Sequence, residues 1–285
     1  MLISPDHLAA RLGDPSLRVL DCTVRLLRPP GGGPYTPQSG LATYVSAHIP
    51  GAGFADLIGA LSDPGAPLPF TLPTASRFAT AIGSLGVGPG VHVVAYGQES
   101  PMWATRLWWL LRYFGFDSVS VLDGGLPAWI AAGLPVLAGP AAAVPAARFE
   151  PRPRPELLAT QRDVAEISAA GAGFGACLVN ALAPAAFRGE GPTSYSRPGR
   201  IPGSVNSPAG ELLDPDTGWF LPLASLRSRL ADLLAAPDVV AYCGGGVSAT
   251  MVVFALALLG RDEVRLYDGS LAEWSAERSL PLDVG

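Results

Sequence analysis

The sequence predicts an α/β fold made of two similar domains, each a parallel sheet with helices on both faces. Short apolar strand patterns alternate with helical patterns along the chain, and this alternation is typical of parallel sheets. Four patterns occur twice in the same order, which indicates a tandem duplication. The chain has 285 residues, of which 49% are hydrophobic, so it can build two separate cores.

The repeated patterns are an apolar strand, an Ile-Pro-Gly turn, a Val-Val-Ala-Tyr strand and an Asp-Gly segment that ends in tryptophan. The first copies lie at residues 17–23, 47–52, 93–96 and 122–129, and the second copies at 177–182, 199–204, 239–242 and 267–274. Four matches in the same order are improbable by chance. We therefore expect each half to fold in the same way.

A stretch rich in proline and alanine joins the two halves. We expect a first domain over residues 1–138, a stiff linker over 139–158 and a second domain over 159–285. Proline alternates with arginine over residues 151–155 of this linker. The glycine run 31–33 is expected to be a flexible loop and not a phosphate-binding loop, because no helix pattern follows it.

Composition argues against several classes of protein. The net charge of −5 disfavours a nucleic-acid partner. The apolar run 251–259 is too short to span a membrane, and the N-terminus lacks the pattern of a signal peptide. Cys22, Cys177 and Cys243 are too few and too scattered for a disulfide framework or a zinc site, so we expect a reducing compartment, the cytoplasm. Cys22 and Cys177 fall within apolar strand patterns, where buried thiols are unreactive.

Cys243 occupies a position where chemistry is expected. It follows the apolar strand 239–242, and a glycine-rich turn then leads into the helical pattern 251–259. Backbone N–H groups of such a turn, with the positive end of the helix, stabilise a thiolate and an anionic substrate. The equivalent position in the first half is Gly97, so we expect only the second half to be catalytically active. The turn consists of Gly244, Gly245, Gly246, Val247 and Ser248.

Taken together, these features resemble the tandem-domain rhodanese family of sulfurtransferases, of the thiosulfate or 3-mercaptopyruvate type. The resemblance rests on the paired Ile-Pro-Gly motifs, the inactive first half, the six-residue loop opening with Cys243, the Asp-Gly segments and Phe187-Arg188-Gly189. It implies that Cys243 accepts a sulfane sulfur as a persulfide and passes it to cyanide or a thiol acceptor, for example a thioredoxin-like protein. It implies no metal or organic cofactor.

The resemblance also implies roles for three arginines. Arg188 matches the family arginine that holds the anionic group of the donor, and a guanidinium suits a carboxylate or a thiosulfonate. Arg197 and Arg200 are candidates for a second contact with the same anion. For each of these two, a solvated loop residue is the competing interpretation.

The donor stays open between thiosulfate and 3-mercaptopyruvate. Gly244, Gly246 and Val247 agree with the loop typical of mercaptopyruvate enzymes. Gly245, however, replaces the serine of that loop, and Phe70 stands where those enzymes have a histidine. The serine–histidine proton relay of that subfamily is therefore not expected in this chain.

Two other classes can use a cysteine in this setting. A cysteine-based phosphatase needs an arginine six residues after the nucleophile, and that residue is Ala249, so this class is disfavoured. A non-catalytic sulfur-relay or binding module is the stronger alternative, because the glycine loop contributes few side chains. A cyanolysis assay separates the catalytic interpretation from this one.

Overall fold

A computed structural model describes residues 1–30, 33–140, 143–171 and 175–285. The chain divides into two compact units, and each unit includes a short segment from the other half of the sequence. The first unit comprises Met1–Arg25, Pro37–Arg154 and Pro215–Phe220. The second unit comprises Leu26–Thr36, Pro155–Asp214 and Leu221–Gly285.

The strands are short, as expected for a small α/β sheet. In chain order they are β1 (Leu2–Ile3), β2 (Leu17–Asp21), β3 (Val24–Leu27), β4 (Thr36–Ser39), β5 (Gly53–Phe54), β6 (His92–Tyr96), β7 (Val119–Leu122), β8 (Leu158–Ala159), β9 (Ala176–Asn180), β10 (Val205–Asn206), β11 (Asp238–Tyr242) and β12 (Arg265–Tyr267).

The helices alternate with these strands. They are α1 (Pro5–Ala9), α2 (Leu41–Ser46), α3 (Ala75–Ser84), α4 (Met102–Tyr113), α5 (Gly125–Ala131), α6 (Gln161–Ala170), α7 (Pro184–Phe187), α8 (Leu223–Arg229), α9 (Ala231–Ala235), α10 (Ala249–Leu258) and α11 (Ser270–Trp274), with 3₁₀ turns at Pro155–Leu157 and Ala209–Leu212.

The two units contain sheets of the same topology. The first sheet has the strand order β1-β7-β6-β2-β5 and the second has β8-β12-β11-β9-β10, and the pairs in both are parallel. Each strand of the first sheet thus has a counterpart at the same place in the second. The predicted fold class, two duplicated α/β domains with parallel sheets, is confirmed. β3 and β4 pair separately as a two-stranded sheet.

The strand that precedes Cys243 lies in the middle of the second sheet. β11 pairs with β9 from Asp238↔Ala176 to Tyr242↔Asn180 and with β12 on its other side. Residues 239–242 are fully buried, which explains why the strand is apolar without alternation. Because ligands of open α/β sheets bind at the carboxyl ends of the strands, this register places Cys243 at the expected edge.

The repeated Ile-Pro-Gly and Tyr motifs are explained by one hydrogen bond in each unit. The Ile49 N–H donates to the Tyr96 hydroxyl at 3.2 Å, and the Ile201 N–H donates to the Tyr242 hydroxyl at 3.1 Å. The Tyr242 hydroxyl then donates to Ser204 Oγ at 2.8 Å. A buried N–H without an acceptor is costly, so both residues of each pair are fixed together.

The repeated tryptophans have a matching role. The Trp129 indole N–H donates to the Pro135 carbonyl at 2.8 Å, and the Trp274 indole N–H donates to the Pro281 carbonyl at 2.8 Å. Both rings are fully buried. Each tryptophan therefore fills a core and ties down the chain that follows its helix.

The proline-rich stretch is divided between the units at residue 154. The N–H groups of Arg152 and Arg154 donate to the carbonyls of Phe114 and Tyr113 at 2.9 and 2.8 Å. Proline has no N–H, so the alternation of proline and arginine leaves every second residue able to pair. Of the predicted linker 139–158, the part through Arg154 thus packs in the first unit and the remainder belongs to the second. Residues 141 and 142 of the linker, and 31 and 32 of the predicted glycine loop, lie outside the described residues.

None of the helices in the described part of the chain is both long enough and apolar enough to cross a membrane.

We expect Tyr242→Phe to destabilise the second unit by about 1–3 kcal/mol, because it leaves the buried N–H of Ile201 without an acceptor. Hydrogen exchange at the Ile201 amide should become faster. The Ile49 amide is an internal control, since it donates to Tyr96 and should keep its exchange rate. Equal exchange at Ile201 in the variant and the parent would show that the hydroxyl does not protect this amide.

Candidate active site

Cys243 is the first residue after β11 and opens the loop that leads into α10. Its side chain is buried, with 2% of the residue exposed. The carbonyl of Cys243 accepts from the Leu271 N–H at 3.2 Å, and the carbonyl of Gly244 accepts from the Ala272 N–H at 2.8 Å. The start of the loop is thus attached to the first turn of α11.

Ser270 binds two amides of the Cys243 loop. Its Oγ accepts from the N–H groups of Cys243 and Gly246, both at 3.1 Å, and donates to the Tyr267 carbonyl at 2.8 Å. The residue is fully buried and has a φ of +49°, which is unusual for a residue other than glycine. A strained serine that binds two loop amides is a positioning residue for the turn.

Sequence reasoning missed Ser270, although the duplication contained a signal for it. Gly125 occupies the equivalent place in the first unit and has a φ of +59°. A Cβ on Gly125 would lie 2.3 Å from the carbonyl oxygen of Gly97, the counterpart of Cys243. The first unit therefore has glycine at both places, whereas the second unit has the thiol and a serine that supports its loop.

Several loop amides are available to an anion at the sulfur. Within the described residues, the N–H groups of Gly244, Gly245, Val247 and Ser248 have no hydrogen-bond acceptor. The following helix α10 begins at Ala249, so its positive end lies behind the same loop. These donors can stabilise negative charge on the sulfur or on a group bound to it.

The three glycine positions of the loop differ in how much room they leave for a side chain. A Cβ on Gly244 would lie 1.8 Å from the Tyr195 hydroxyl oxygen. Gly246 has a φ of +72°, and a Cβ there would lie 2.5 Å from the Asp268 carbonyl oxygen. A Cβ on Gly245 would meet no atom within 4 Å. Glycine is therefore required at 244 and 246, whereas position 245 has room for a side chain.

Tyr195 is a second residue that sequence reasoning did not find. Its hydroxyl lies against Gly244, the residue that follows Cys243. Burial raises the pKa of Tyr195 well above its usual value, and the nearby charge of Cys243 raises it further. The phenol therefore stays protonated at neutral pH and can donate a hydrogen bond.

The other two cysteines lack these surroundings. Burial raises the pKa of the Cys22 thiol, as does the nearby Asp21 carboxylate. Burial also raises the pKa of the Cys177 thiol. Neither belongs to a glycine turn at a helix start, and both thiols are free. The structure supports Cys243 as the nucleophile of the three.

Arg188 follows α7, and its guanidinium is engaged elsewhere. Its Nε and Nη2 donate to the two carboxylate oxygens of Glu190 at 2.6 and 2.9 Å. This pairing holds the pKa of the Glu190 carboxyl below its usual value. Both side chains are exposed. The expected contact of Arg188 with a donor stays a prediction, and binding a donor would require the pair with Glu190 to open.

Arg197 is used to fix the backbone of the second unit. Its guanidinium donates to four carbonyl oxygens, at distances of 2.9, 3.4, 2.7 and 2.9 Å. These bonds use Nε and Nη2 of the guanidinium, and the expected contact of Arg197 with an anion stays a prediction. The four carbonyls belong to Ser275, Trp274, Glu277 and Leu280.

Arg200 is also committed to local structure. Its backbone pairs with Asp283, and its Nη1 donates to the Gly285 carbonyl at 2.6 Å. The guanidinium lies 4.6 Å from the centre of the Phe187 ring. These contacts hold Arg200 in place, and its expected contact with an anion stays a prediction.

The comparison with known families decides the classification. The rhodanese-like domain model matches residues 4–132 and 187–277, which fall in the two halves of the duplication. The chain belongs to the rhodanese family. The resemblance inferred from the sequence is confirmed.

Relatives and solved structures of this family cover nearly the whole chain. A Pseudomonas aeruginosa protein named "probable 3-mercaptopyruvate sulfurtransferase" is 38% identical over 100% of this chain and 98% of its own length. The Arabidopsis thaliana thiosulfate/3-mercaptopyruvate sulfurtransferase 1 is 32% identical over 99% of this chain and 78% of its own. The crystal structure of SseA from Escherichia coli, described as a 3-mercaptopyruvate sulfotransferase, is 33% identical with a TM-score of 0.78 and covers 94% of this chain and 98% of that one.

We expect Gly244→Ala to lower kcat/KM for sulfur transfer about 10- to 100-fold, because the new methyl group displaces Tyr195 or the loop beside the sulfur. Gly245→Ala is the matched control, since its methyl group enters open space and should leave kcat/KM nearly unchanged. Steady-state kinetics of both variants check this. Similar losses of kcat/KM in both variants would show that the effect does not depend on the contact with Tyr195.

We expect Ser270→Ala to destabilise the protein by about 1–3 kcal/mol, because the N–H groups of Cys243 and Gly246 lose their acceptor. Alkylation of Cys243 by iodoacetamide at fixed pH should also become slower, since the loop amides are less well held. Ser270→Gly removes the hydroxyl but relieves the positive φ, so it should regain stability without regaining reactivity. Full reactivity in Ser270→Gly would contradict a positioning role for the hydroxyl.

Proposed function

We propose that this chain is a sulfurtransferase that moves a sulfane sulfur from a small anionic donor to a thiophilic acceptor through a persulfide on Cys243. The observation that carries this proposal is the loop after β11, where the thiol of Cys243 is followed by four backbone N–H groups without an internal acceptor. The names of the relatives support the same class of reaction.

The first half-reaction loads the sulfur onto the enzyme. The Cys243 thiolate attacks the transferable sulfur of the donor and forms a sulfur–sulfur bond. The bond between that sulfur and the rest of the donor breaks, and its electron pair leaves with sulfite from thiosulfate or with the enolate of pyruvate from 3-mercaptopyruvate. The enolate then takes up a proton. The persulfide is itself an anion near neutral pH, so the loop amides stabilise the intermediate as well as the thiolate.

The second half-reaction returns the thiol. A cyanide ion or a thiolate attacks the outer sulfur of the persulfide, the sulfur–sulfur bond breaks, and its electron pair stays on Cys243. Each half-reaction exchanges one nucleophile for another, so it needs no oxidant or reductant. The kinetic pattern expected of such a covalent enzyme is ping-pong.

The donor is either thiosulfate or 3-mercaptopyruvate. Relatives named for 3-mercaptopyruvate favour this donor as the first to test, whereas the Arabidopsis relative is named for both. Gly245 leaves open space in place of a loop side chain. Proton delivery to a pyruvate enolate must therefore come from another group, and the protonated Tyr195 hydroxyl, which lies against Gly244, is the candidate that we propose.

The physiological setting follows from the chemistry of the cysteines. Three free thiols favour a reducing compartment, for which we propose the cytoplasm. There a thiol protein of the thioredoxin type could accept the sulfur. A sulfur-relay module without its own turnover remains the alternative, because the loop offers few side chains to assist the chemistry.

We expect incubation with 3-mercaptopyruvate or thiosulfate to add one sulfur atom, about 32 Da, to Cys243 and cyanide to remove it. Peptide mass spectrometry locates the adduct, and thiocyanate formation measures turnover. Cys243→Ser should lose both, whereas Cys22→Ser and Cys177→Ser should keep turnover nearly intact. Sulfur on another cysteine, or turnover by Cys243→Ser, would refute the mechanism. An adduct that forms on Cys243 but is not released to cyanide or thiols would favour the relay module.

A further inference from the structure

A cavity of about 190 Å³ lies in the second unit. Its wall includes Arg28 and Tyr35, which come from the segment Leu26–Thr36 of the first half of the sequence but belong to the second unit. Glu190 and Tyr195 also line it. No motif of the sequence pointed to Arg28 or Tyr35.

Tyr195 connects this cavity to the nucleophile. Its ring lines the cavity, while its hydroxyl lies against Gly244, the residue after Cys243. Burial is the main cause that raises the pKa of the Tyr195 hydroxyl, while nearby Cys243 and Tyr35 raise it further and nearby Arg28 lowers it. A small molecule in the cavity would therefore meet both Arg28 and Tyr195, and the Tyr195 hydroxyl contacts the residue that follows Cys243.

Arg28 supplies the uncompensated charge of the cavity. Among the described residues that line it, Arg28 alone is cationic. Its guanidinium lies 4.7 Å from the centre of the Tyr35 ring, and it has no carboxylate partner within the described residues. Stacking on an aromatic face leaves the in-plane N–H donors of a guanidinium available. The carboxylate of Glu190 also lines the cavity, but Arg188 binds both of its oxygens and compensates its charge.

We propose that this cavity binds the anionic group of the sulfur donor, a carboxylate or a sulfur oxyanion, and that Arg28 is the residue that holds it. This inference rests on the proposed sulfur-transfer function. Two parallel N–H donors of a guanidinium match the paired oxygens of either anion. Arg28 thereby takes the role that the family resemblance gave to Arg188, and a residue of the inactive half of the sequence completes the donor site.

Kinetics with matched arginine variants test the assignment. Arg28→Gln should raise the KM for both thiosulfate and 3-mercaptopyruvate roughly 10- to 100-fold, with a much smaller effect on kcat and on the KM for cyanide. Arg28→Lys should recover only part of the loss, because a lysine ammonium keeps the positive charge but lacks the two parallel N–H donors of a guanidinium. Arg25→Gln is the control: Arg25 is exposed, lies three residues earlier and does not line the cavity. Arg188→Gln tests the competing assignment under the same conditions.

A binding measurement keeps the test independent of turnover. Pyruvate and methanesulfonate carry the two kinds of anionic group but no transferable sulfur. Titration calorimetry should show weaker binding of both to Arg28→Gln than to Arg25→Gln by a similar factor. Circular dichroism of each variant verifies that it is folded.

The outcomes separate the two proposals. If the parent enzyme turns over and Arg28→Gln has the donor KM and anion affinity of Arg25→Gln, the cavity assignment is overturned while sulfur transfer stands. The same conclusion follows if Arg188→Gln alone raises the KM. If the parent enzyme transfers no sulfur from either donor, the proposed function fails, and anion binding that depends on Arg28 would still support the cavity as a carboxylate or oxyanion site.

Discussion

The hydroxyl of Ser270 is the contact on which the active loop depends. A loop that presents amide donors to an anion cannot use those amides to hold itself together. The structure resolves this conflict by taking the first and fourth N–H groups of the loop, from Cys243 and Gly246, onto one serine oxygen. The intervening and following amides are then free of internal partners, while the loop stays fixed between β11 and α11. The positive φ of Ser270 is tolerated because its hydroxyl bonds, including the one to the Tyr267 carbonyl, compensate for it.

The duplication shows how a unit with the Cys243 thiol and a unit without it share one scaffold. The strand order, the tyrosine that binds the isoleucine amide and the tryptophan that binds a proline carbonyl are the same in both. The differences are at two paired positions. Where the second unit has Cys243 and Ser270, the first has Gly97 and Gly125, and a side chain at Gly125 would collide with the carbonyl of Gly97. The residues that build the shared fold are thus different from the residues that distinguish the Cys243 loop.

Most of the fold could be predicted from the sequence. The duplication repeats the same pattern of elements in both halves, and buried parallel strands are recognisable as continuous apolar runs. Cys243 was also predictable, since its position depends on residues adjacent in the chain. The side chains that surround the Cys243 loop could not be predicted in this way. Arg197 binds carbonyls 77 to 83 positions later, and a sequence pattern shows that an arginine is present but not where its long side chain ends. Tyr195 and Arg28 reach the site from loops whose course depends on tertiary packing, so no local periodicity marks them.

The exchange of short segments between the two units has a consequence for any attempt to separate them. A gene cut in the proline-rich stretch would encode a second half that has Cys243, Ser270 and all the strands of its sheet. It would nevertheless lack Leu26–Thr36, and the first half would lack Pro215–Phe220. Each product would lack a segment of its own compact unit. The half that contains Cys243 would also lose Arg28 and Tyr35 from the wall of its cavity. In a chain that began as two copies, neither copy thus supplies every segment of its own compact unit.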